Sequence, residues 1–450
     1  MDSRLPVFDR RRAAVLLALS ALEAPLGRGG RAFIDWLTRA GFSVWQVLPV
    51  GPAGADGSPY WVRSDCAGDP ALLDPAELPG GDPDEAFRHA SAGWLPDYAL
   101  FEALTSAFGG VPFWQWPAGL REREPGALAG ARANLAGEIV RLERAQYAFH
   151  VQWQRLRGYA RERGVRLFGD LPFYLAPSSA EVWVHRADFR LHPEGSPAEV
   201  AGVPPDYFSD TGQRWGNPLY DWDALARGQF ALWHARLAAQ LERLDLLRLD
   251  HFRALAAHWA IPAAAPDARG GRWVPTPGAA LLDSLRAHWP DLPLVAEDLG
   301  VITPDVVELM QRFQLPGMRV LQFGFDGNPA NPHLPYEYVR QCVAYTGTHD
   351  NDTALGWYRS LDPGTRGRVD ALAGVPGLTP REALLRATLG SVAQLAVVPL
   401  QDLLGLGSEA RFNTPGTQAG NWHWRVPAGA LSAALAAELN RLNGALGRLG

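Results

Sequence analysis

Arg248-Leu249-Asp250-His251-Phe252-Arg253 and Ala296-Glu297-Asp298-Leu299-Gly300 each follow a short apolar run, Leu246-Leu247 in the first case and Pro293-Leu294-Val295 in the second. A third segment, Thr346-Gly347-Thr348-His349-Asp350-Asn351-Asp352, follows Val343-Ala344-Tyr345 in the same way. In all three an acid stands where a buried strand would end. Acids at the carboxyl ends of several strands are what a barrel needs to surround one bond with carboxylates. Two such carboxyls flanking a glycosidic bond can serve in turn as acid, nucleophile and base.

Each position has a local chemical reading. Arg248 and Asp250 are two residues apart on one strand, so both side chains point to the same side. A guanidinium there favours the ionised carboxylate that a nucleophile requires, although the same two residues also suit a barrel-interior ion pair. Glu297, next to Asp298 and in an enclosed site, has the surroundings that raise a carboxyl's pKa towards that of a proton donor. It also suits a cap on the segment that follows. His349 beside Asp350 lacks the His and Cys companions of a zinc site, and the spacing misses the calcium-loop pattern, so no metal is expected. Asp350 then suits stabilisation of an oxocarbenium-like transition state, and His349 a hydrogen bond to a sugar hydroxyl. Asp170, in Gly169-Asp170-Leu171-Pro172, is another acid at a strand end, fit to bind hydroxyls or to orient Arg248. Asn413 offers a donor and an acceptor to a hydroxyl, or serves as a turn residue ahead of Pro415-Gly416. The stretch 202–218, with Pro204-Pro205, Asp206, Tyr207, Phe208 and Trp215, reads as a stiff aromatic loop able to cover a cleft, or as a packed structural loop.

The elements that position these residues follow from the apolar pattern. Short β-like runs occur at 15–19, 44–48, 165–170, 246–250, 292–297, 318–323, 342–346 and 395–400. Helical patterns lie between them at 30–40, 230–243, 277–288, 303–313 and 379–390. Such alternation predicts a parallel sheet, and eight strands suit a closed (β/α)8 barrel, with an open doubly wound sheet as the other solution. The reading is one catalytic domain over 1–450 with two long excursions, a mostly helical one at 50–163 and a cleft-and-lid one at 172–222, closed by a helix within 427–450. The apolar run 13–19 after Arg10-Arg11-Arg12 resembles the start of a signal peptide but is read as the first buried strand.

Composition narrows the partners. A net charge of −6 argues against nucleic acid or an anionic membrane. The 17 tryptophans suit stacking on sugar C–H faces, as well as core filling. The chain contains no lysine at all, which excludes Schiff-base and P-loop lysine chemistry. Cys66 and Cys342, far apart, fit a reducing cytoplasm.

Taken together, these segments resemble the amylomaltases, the 4-α-glucanotransferases of glycoside hydrolase family 77. The resemblance rests also on Trp45-Gln46-Val47-Leu48-Pro49, Gly57-Ser58-Pro59-Tyr60, Asp97-Tyr98-Ala99-Leu100-Phe101, Ser179-Ala180-Glu181-Val182-Trp183 and Pro316-Gly317-Met318. It implies an α-amylase-related barrel without a carboxyl-terminal β domain, and a retaining transfer between α-1,4-glucans with glucose as an acceptor, without metal or cofactor. By motif position it implies Asp250 as nucleophile, Glu297 as acid/base and Asp350 as transition-state stabiliser. Arg248, His349, Asp170 and Asn413 would line the donor side, Tyr60 and Ser58 would sit near the cleaved bond, and Asp206, Tyr207 and Phe208 would belong to the lid. A hydrolase using the same residues, or a non-catalytic glucan-binding protein, are the alternatives; the latter should lack one of the acids. The chain departs from the family pattern at 17–30, at Ala55-Asp56-Gly57, and at Ala254, Ala260 and Pro275. These departures bear on rim and acceptor-side binding and leave the three acids intact.

Overall fold

The computed structural model describes residues 7–54, 57–205, 209–417 and 419–449. Asp206, Tyr207 and Phe208 lie outside the described residues. Among those described, the strands in chain order are β1 (Arg12–Leu16), β2 (Val44–Gln46), β3 (Arg166–Leu171), β4 (Glu199–Val203), β5 (Gln213–Pro218) and β6 (Leu246–Leu249). They continue with β7 (Ala257–Pro262), β8 (Arg272–Pro275), β9 (Leu294–Ala296), β10 (Gly317–Val320), β11 (Cys342–Tyr345) and β12 (Leu395–Pro399).

Eight strands form one parallel sheet in the order β10-β11-β12-β1-β2-β3-β6-β9. Its two ends meet: the Ala296 N–H donates to the Pro316 carbonyl at 2.8 Å and the Met318 N–H to Asp298 Oδ1 at 2.5 Å. Gly317 makes this seam possible, because a Cβ there would lie 2.5 Å from Asp298 Oδ2. The sheet is therefore a closed (β/α)8 barrel. Its strands are mostly apolar and mostly buried, as covered parallel strands must be, with Arg12, Arg166, Asp170, Arg248 and Arg319 as the charged exceptions. Helices such as Arg28–Arg39, Ala231–Arg243, Gly278–His288, Pro304–Phe313 and Pro380–Leu389 lie between the strands. No described helix is long and apolar enough to cross a membrane.

The first strand starts earlier than the apolar pattern predicts. β1 begins at Arg12, whose guanidinium donates to Asp9 at 2.9 Å and Ser43 at 3.3 Å, so a cation can open a buried strand. Between β2 and β3 the chain runs through helices Glu85–Ser91, Leu95–Ala107, Ala118–Arg121, Pro125–Asn134 and Ala136–Glu162. The described part of 172–222 is not all loop. It supplies β4 and β5, which join β7 and β8 in an antiparallel sheet of order β5-β4-β7-β8.

One buried cation ties this superstructure to the barrel. Arg236, on helix Ala231–Arg243 and fully buried, donates to Asp65 Oδ2 at 2.7 Å, Tyr220 Oη at 2.7 Å and the Phe173 carbonyl at 3.2 Å. It thereby fixes the chain just beyond Asp170. Removing one partner of a buried pair strands the other, at a cost of about 3–5 kcal/mol. Arg236→Met should therefore lower the calorimetric unfolding temperature sharply, and adding Asp65→Asn should recover part of the loss.

Candidate active site

Strand register brings the first two acids together. Asp170 on β3 and Arg248 on β6 are register partners. The Arg248 guanidinium donates through Nη1 to both Asp170 oxygens at 2.8 Å, and its Nη2 pairs with Asp250 Oδ1 at 2.8 Å. One cation thus bridges an acid on the neighbouring strand and the acid that ends its own. The Arg248 and Asp170 side chains are sealed, 5% and 0% exposed, whereas Asp250 keeps 30% of its side chain open and Asp350 42%. The two open carboxylates are the ones free to meet a ligand. Burial raises the Asp170 carboxyl, with Arg248 opposing. Tyr60 caps this acid from the far side, its hydroxyl donating to Asp170 Oδ2 at 2.7 Å. Ser58 Oγ in turn accepts the Tyr60 N–H at 3.3 Å, which places Ser58 in the turn that holds Tyr60.

Glu297 follows β9 directly. Its Oε2 accepts the His251 N–H at 2.8 Å and its Oε1 the Leu299 N–H at 3.0 Å, so the carboxyl is held against the residue next to Asp250. Burial pushes its pKa up to about 7, with Asp250 and Asp298 adding and Arg248 and the Leu299 N–H opposing. The adjacent Asp298 has a different task. It receives Met318 N–H and pairs with Arg319 at 2.9 Å, closing the barrel seam.

Asp350 lies in the loop after β11. That loop is tied at both ends by buried Asp402, which accepts Thr346 Oγ1 at 2.5 Å and the Ala354 N–H at 2.7 Å. Asp350 Oδ1 receives Asn413 Nδ2 at 2.6 Å and faces His349 Nε2 at 3.3 Å. Burial works against ionisation here, but His349, Asn413 and Arg248 outweigh it and hold the carboxyl well below the usual carboxylate range. Asn413 thus spends a donor on Asp350, which sequence reasoning does not anticipate. The His349 ring stacks on Tyr60, centroids 5.0 Å apart and 18° between planes. A half-open pocket lies beside His349, walled by Leu17, Ala18, Leu48, Gln401 and Phe412 among others. Trp215, on β5, stands edge-on to the His251 ring at 4.8 Å.

Two members of the site have no clear sequence signal. Arg411 donates to the Asp350 carbonyl and to the Asn413 carbonyl, both at 2.7 Å, clamping the two loops that meet at the Asp350 carboxylate. Trp422 lies against Tyr60 and His349, at 6.0 and 6.1 Å between centroids. Surplus tryptophan hinted at such a ring without saying which.

A parallel (β/α)8 barrel whose carboxyl-terminal mouth gathers acids from several strands has the architecture of a barrel enzyme, and its paired carboxyls suit carbohydrate chemistry. More narrowly, the chain belongs to glycoside hydrolase family 77, whose model is described as 4-alpha-glucanotransferase and matches residues 19–83 and 79–431. It is 44% identical to the 4-alpha-glucanotransferase of Thermus thermophilus, over 98% of this chain and 99% of that one. Its fold superposes on the amylomaltase from Streptococcus agalactiae, solved in complex with acarbose, with a TM-score of 0.93 and 30% identity, covering 98% of this chain and 100% of the other. The α-amylase of Geobacillus thermoleovorans shares the fold alone, at a TM-score of 0.53 and 10% identity, over 98% of this chain and 80% of that one.

Proposed function

We propose that this enzyme is a 4-α-glucanotransferase that moves α-1,4-glucan segments to the 4-hydroxyl of another glucan or of glucose by a retaining double displacement. The observation that carries the reading is the Arg248 bridge between Asp170 and Asp250, with Glu297 bonded to the peptide that follows Asp250. In this reading Asp250 attacks the anomeric carbon while Glu297 gives its proton to the leaving glycosidic oxygen. The glucosyl ester on Asp250 then reacts with an acceptor 4-hydroxyl whose proton returns to Glu297. Asp350, held ionised by its partners, suits stabilisation of positive charge at the ring between these steps. Tyr60, His349 and Asn413 would surround the donor sugar, with the sealed Asp170 holding Arg248 and Tyr60 in place, and Asp206, Tyr207, Phe208 and Trp215 would form the cleft's cover. Substrates would be maltooligosaccharides, amylose and glycogen-type polymers, and the buried thiols Cys66 and Cys342 suit a cytoplasmic setting.

Incubation with maltotriose tests the reading. Transfer yields glucose with maltopentaose, or maltose with maltotetraose, and then longer products, while the number of reducing ends stays constant. A rising reducing-end count without longer products would replace transfer by hydrolysis.

A further inference from the structure

We infer that His251 is a positioning residue: its left-handed backbone aims its own peptide N–H at Glu297 and so couples the position of the acid/base to that of Asp250, the residue before it. The inference deepens the reading of Glu297 as proton donor and rests on it.

Four observations carry it. His251 sits at φ 50° and ψ 47°, in the left-handed region that side chains with a Cβ enter at a cost and that His, Asn and Asp enter more readily than branched residues. Its N–H is 2.8 Å from Glu297 Oε2. The peptides around it are pinned, with the Asp250 N–H on the Leu171 carbonyl and the Ala254 N–H on the His251 carbonyl, both at 3.0 Å. Finally, its ring is locked between Trp215, edge-on at 4.8 Å, and Tyr174 at 6.2 Å. The left-handed turn reconciles two demands. The peptide plane leaving Asp250 must face Glu297, and the next residues must form the tight turn Phe252–Leu255 that leads away. With φ in the ordinary negative range, one of the two would have to rotate. Burial holds the imidazole neutral, at about 4, so the ring brings no charge to the neighbouring carboxylates. Strain that the surroundings over-determine in this way marks a functional position.

The test separates backbone from ring. The charged groups that bear on Glu297 are Arg248, Asp250 and Asp298, and its oxygens accept the N–H groups of His251 and Leu299. The kcat/KM of maltotriose disproportionation is measured against pH for wild type, His251→Asn, His251→Gly and His251→Val, with thermal unfolding recorded alongside. Asn and Gly tolerate the left-handed region and should keep the high-pH limb where wild type has it. Val resists that region. Its limb should move up by about one pH unit, since loss of a donor to the carboxylate favours the protonated form, and kcat/KM should fall about ten- to a hundredfold. His251→Ala replaces Val if Val does not fold. An unmoved limb in the Val or Ala variant overturns the inference. So do Asn and Gly variants that both behave like Val, because the ring, absent from all three, would then be the operative part. A wild-type profile with no high-pH limb would instead defeat the assignment of Glu297, before any variant is compared.

Discussion

Asp250→Asn should abolish glucan transfer, with a loss on the order of 10⁴-fold or more in kcat, while the folded protein stays intact. The amide keeps the volume of the carboxylate, and its oxygen can still accept from Arg248 Nη2, which now sits 2.8 Å from Asp250 Oδ1. The barrel therefore has no reason to reorganise, and the unfolding temperature should change little. What is lost is the proposed nucleophile. A second variant turns that loss into a positive signal. Asp250→Gly opens space where the carboxylate stood, and azide can enter it. Offered an α-glucosyl fluoride, azide should form the C1–N bond as fluoride leaves, giving a β-glucosyl azide. Inverted product ties the reacting face of the sugar to the side chain of residue 250. An Asp250→Asn enzyme with wild-type turnover would remove Asp250 from the mechanism.

The acids were legible because of where barrel strands end. A parallel strand covered on both faces is a mostly apolar run, so 294–296 and 342–345 stand out, 246–249 does so apart from Arg248, and an acid soon after each run marks the mouth. The same rule misplaced the start of β1, because Arg12 is charged and yet buried, its charge balanced by Asp9. The antiparallel sheet was illegible for the opposite reason. β5 reads Gln-Arg-Trp-Gly-Asn-Pro, with no apolar run, and it exists because β4 pairs with it and with β7. Contacts between residues far apart in the chain were beyond local reading, even where the residue itself, Asn413, was singled out. Arg411 matters because its guanidinium reaches the Asp350 carbonyl, and Asn413 because its amide reaches the Asp350 carboxylate. Neither contact leaves a trace in neighbouring letters. The Asp250–Glu297 relation is intermediate. Each acid could be read from its own strand, but the link between them runs through the backbone of His251, whose unusual φ has no local sequence signature.

Glu297→Gln should lower kcat for maltotriose by about 10²- to 10⁴-fold, the range of a general acid, and should do so unequally for different leaving groups. A sugar oxygen leaves as an alkoxide unless protonated, whereas fluoride needs no proton. With an α-maltosyl fluoride the first half-reaction should therefore survive in the variant. The second half-reaction still needs a base to take the acceptor's proton, and glutamine cannot supply one. The glycosyl ester on Asp250 should then accumulate, adding one maltosyl mass to the peptide that contains residue 250. The pH dependence follows from the same side chain. Burial, reinforced by Asp250 and Asp298, raises Glu297 to about 7, so the donor is protonated below that pH and lost above it. Wild-type kcat/KM should consequently fall as pH rises through about 7, with the apparent value belonging to the interacting acids together. In Glu297→Gln that falling limb should vanish, leaving a low rate that no longer responds to pH in this range. A variant that keeps the limb would assign it to another group, and one that never accumulates the ester on the fluoride substrate would deny Glu297 its second role as base.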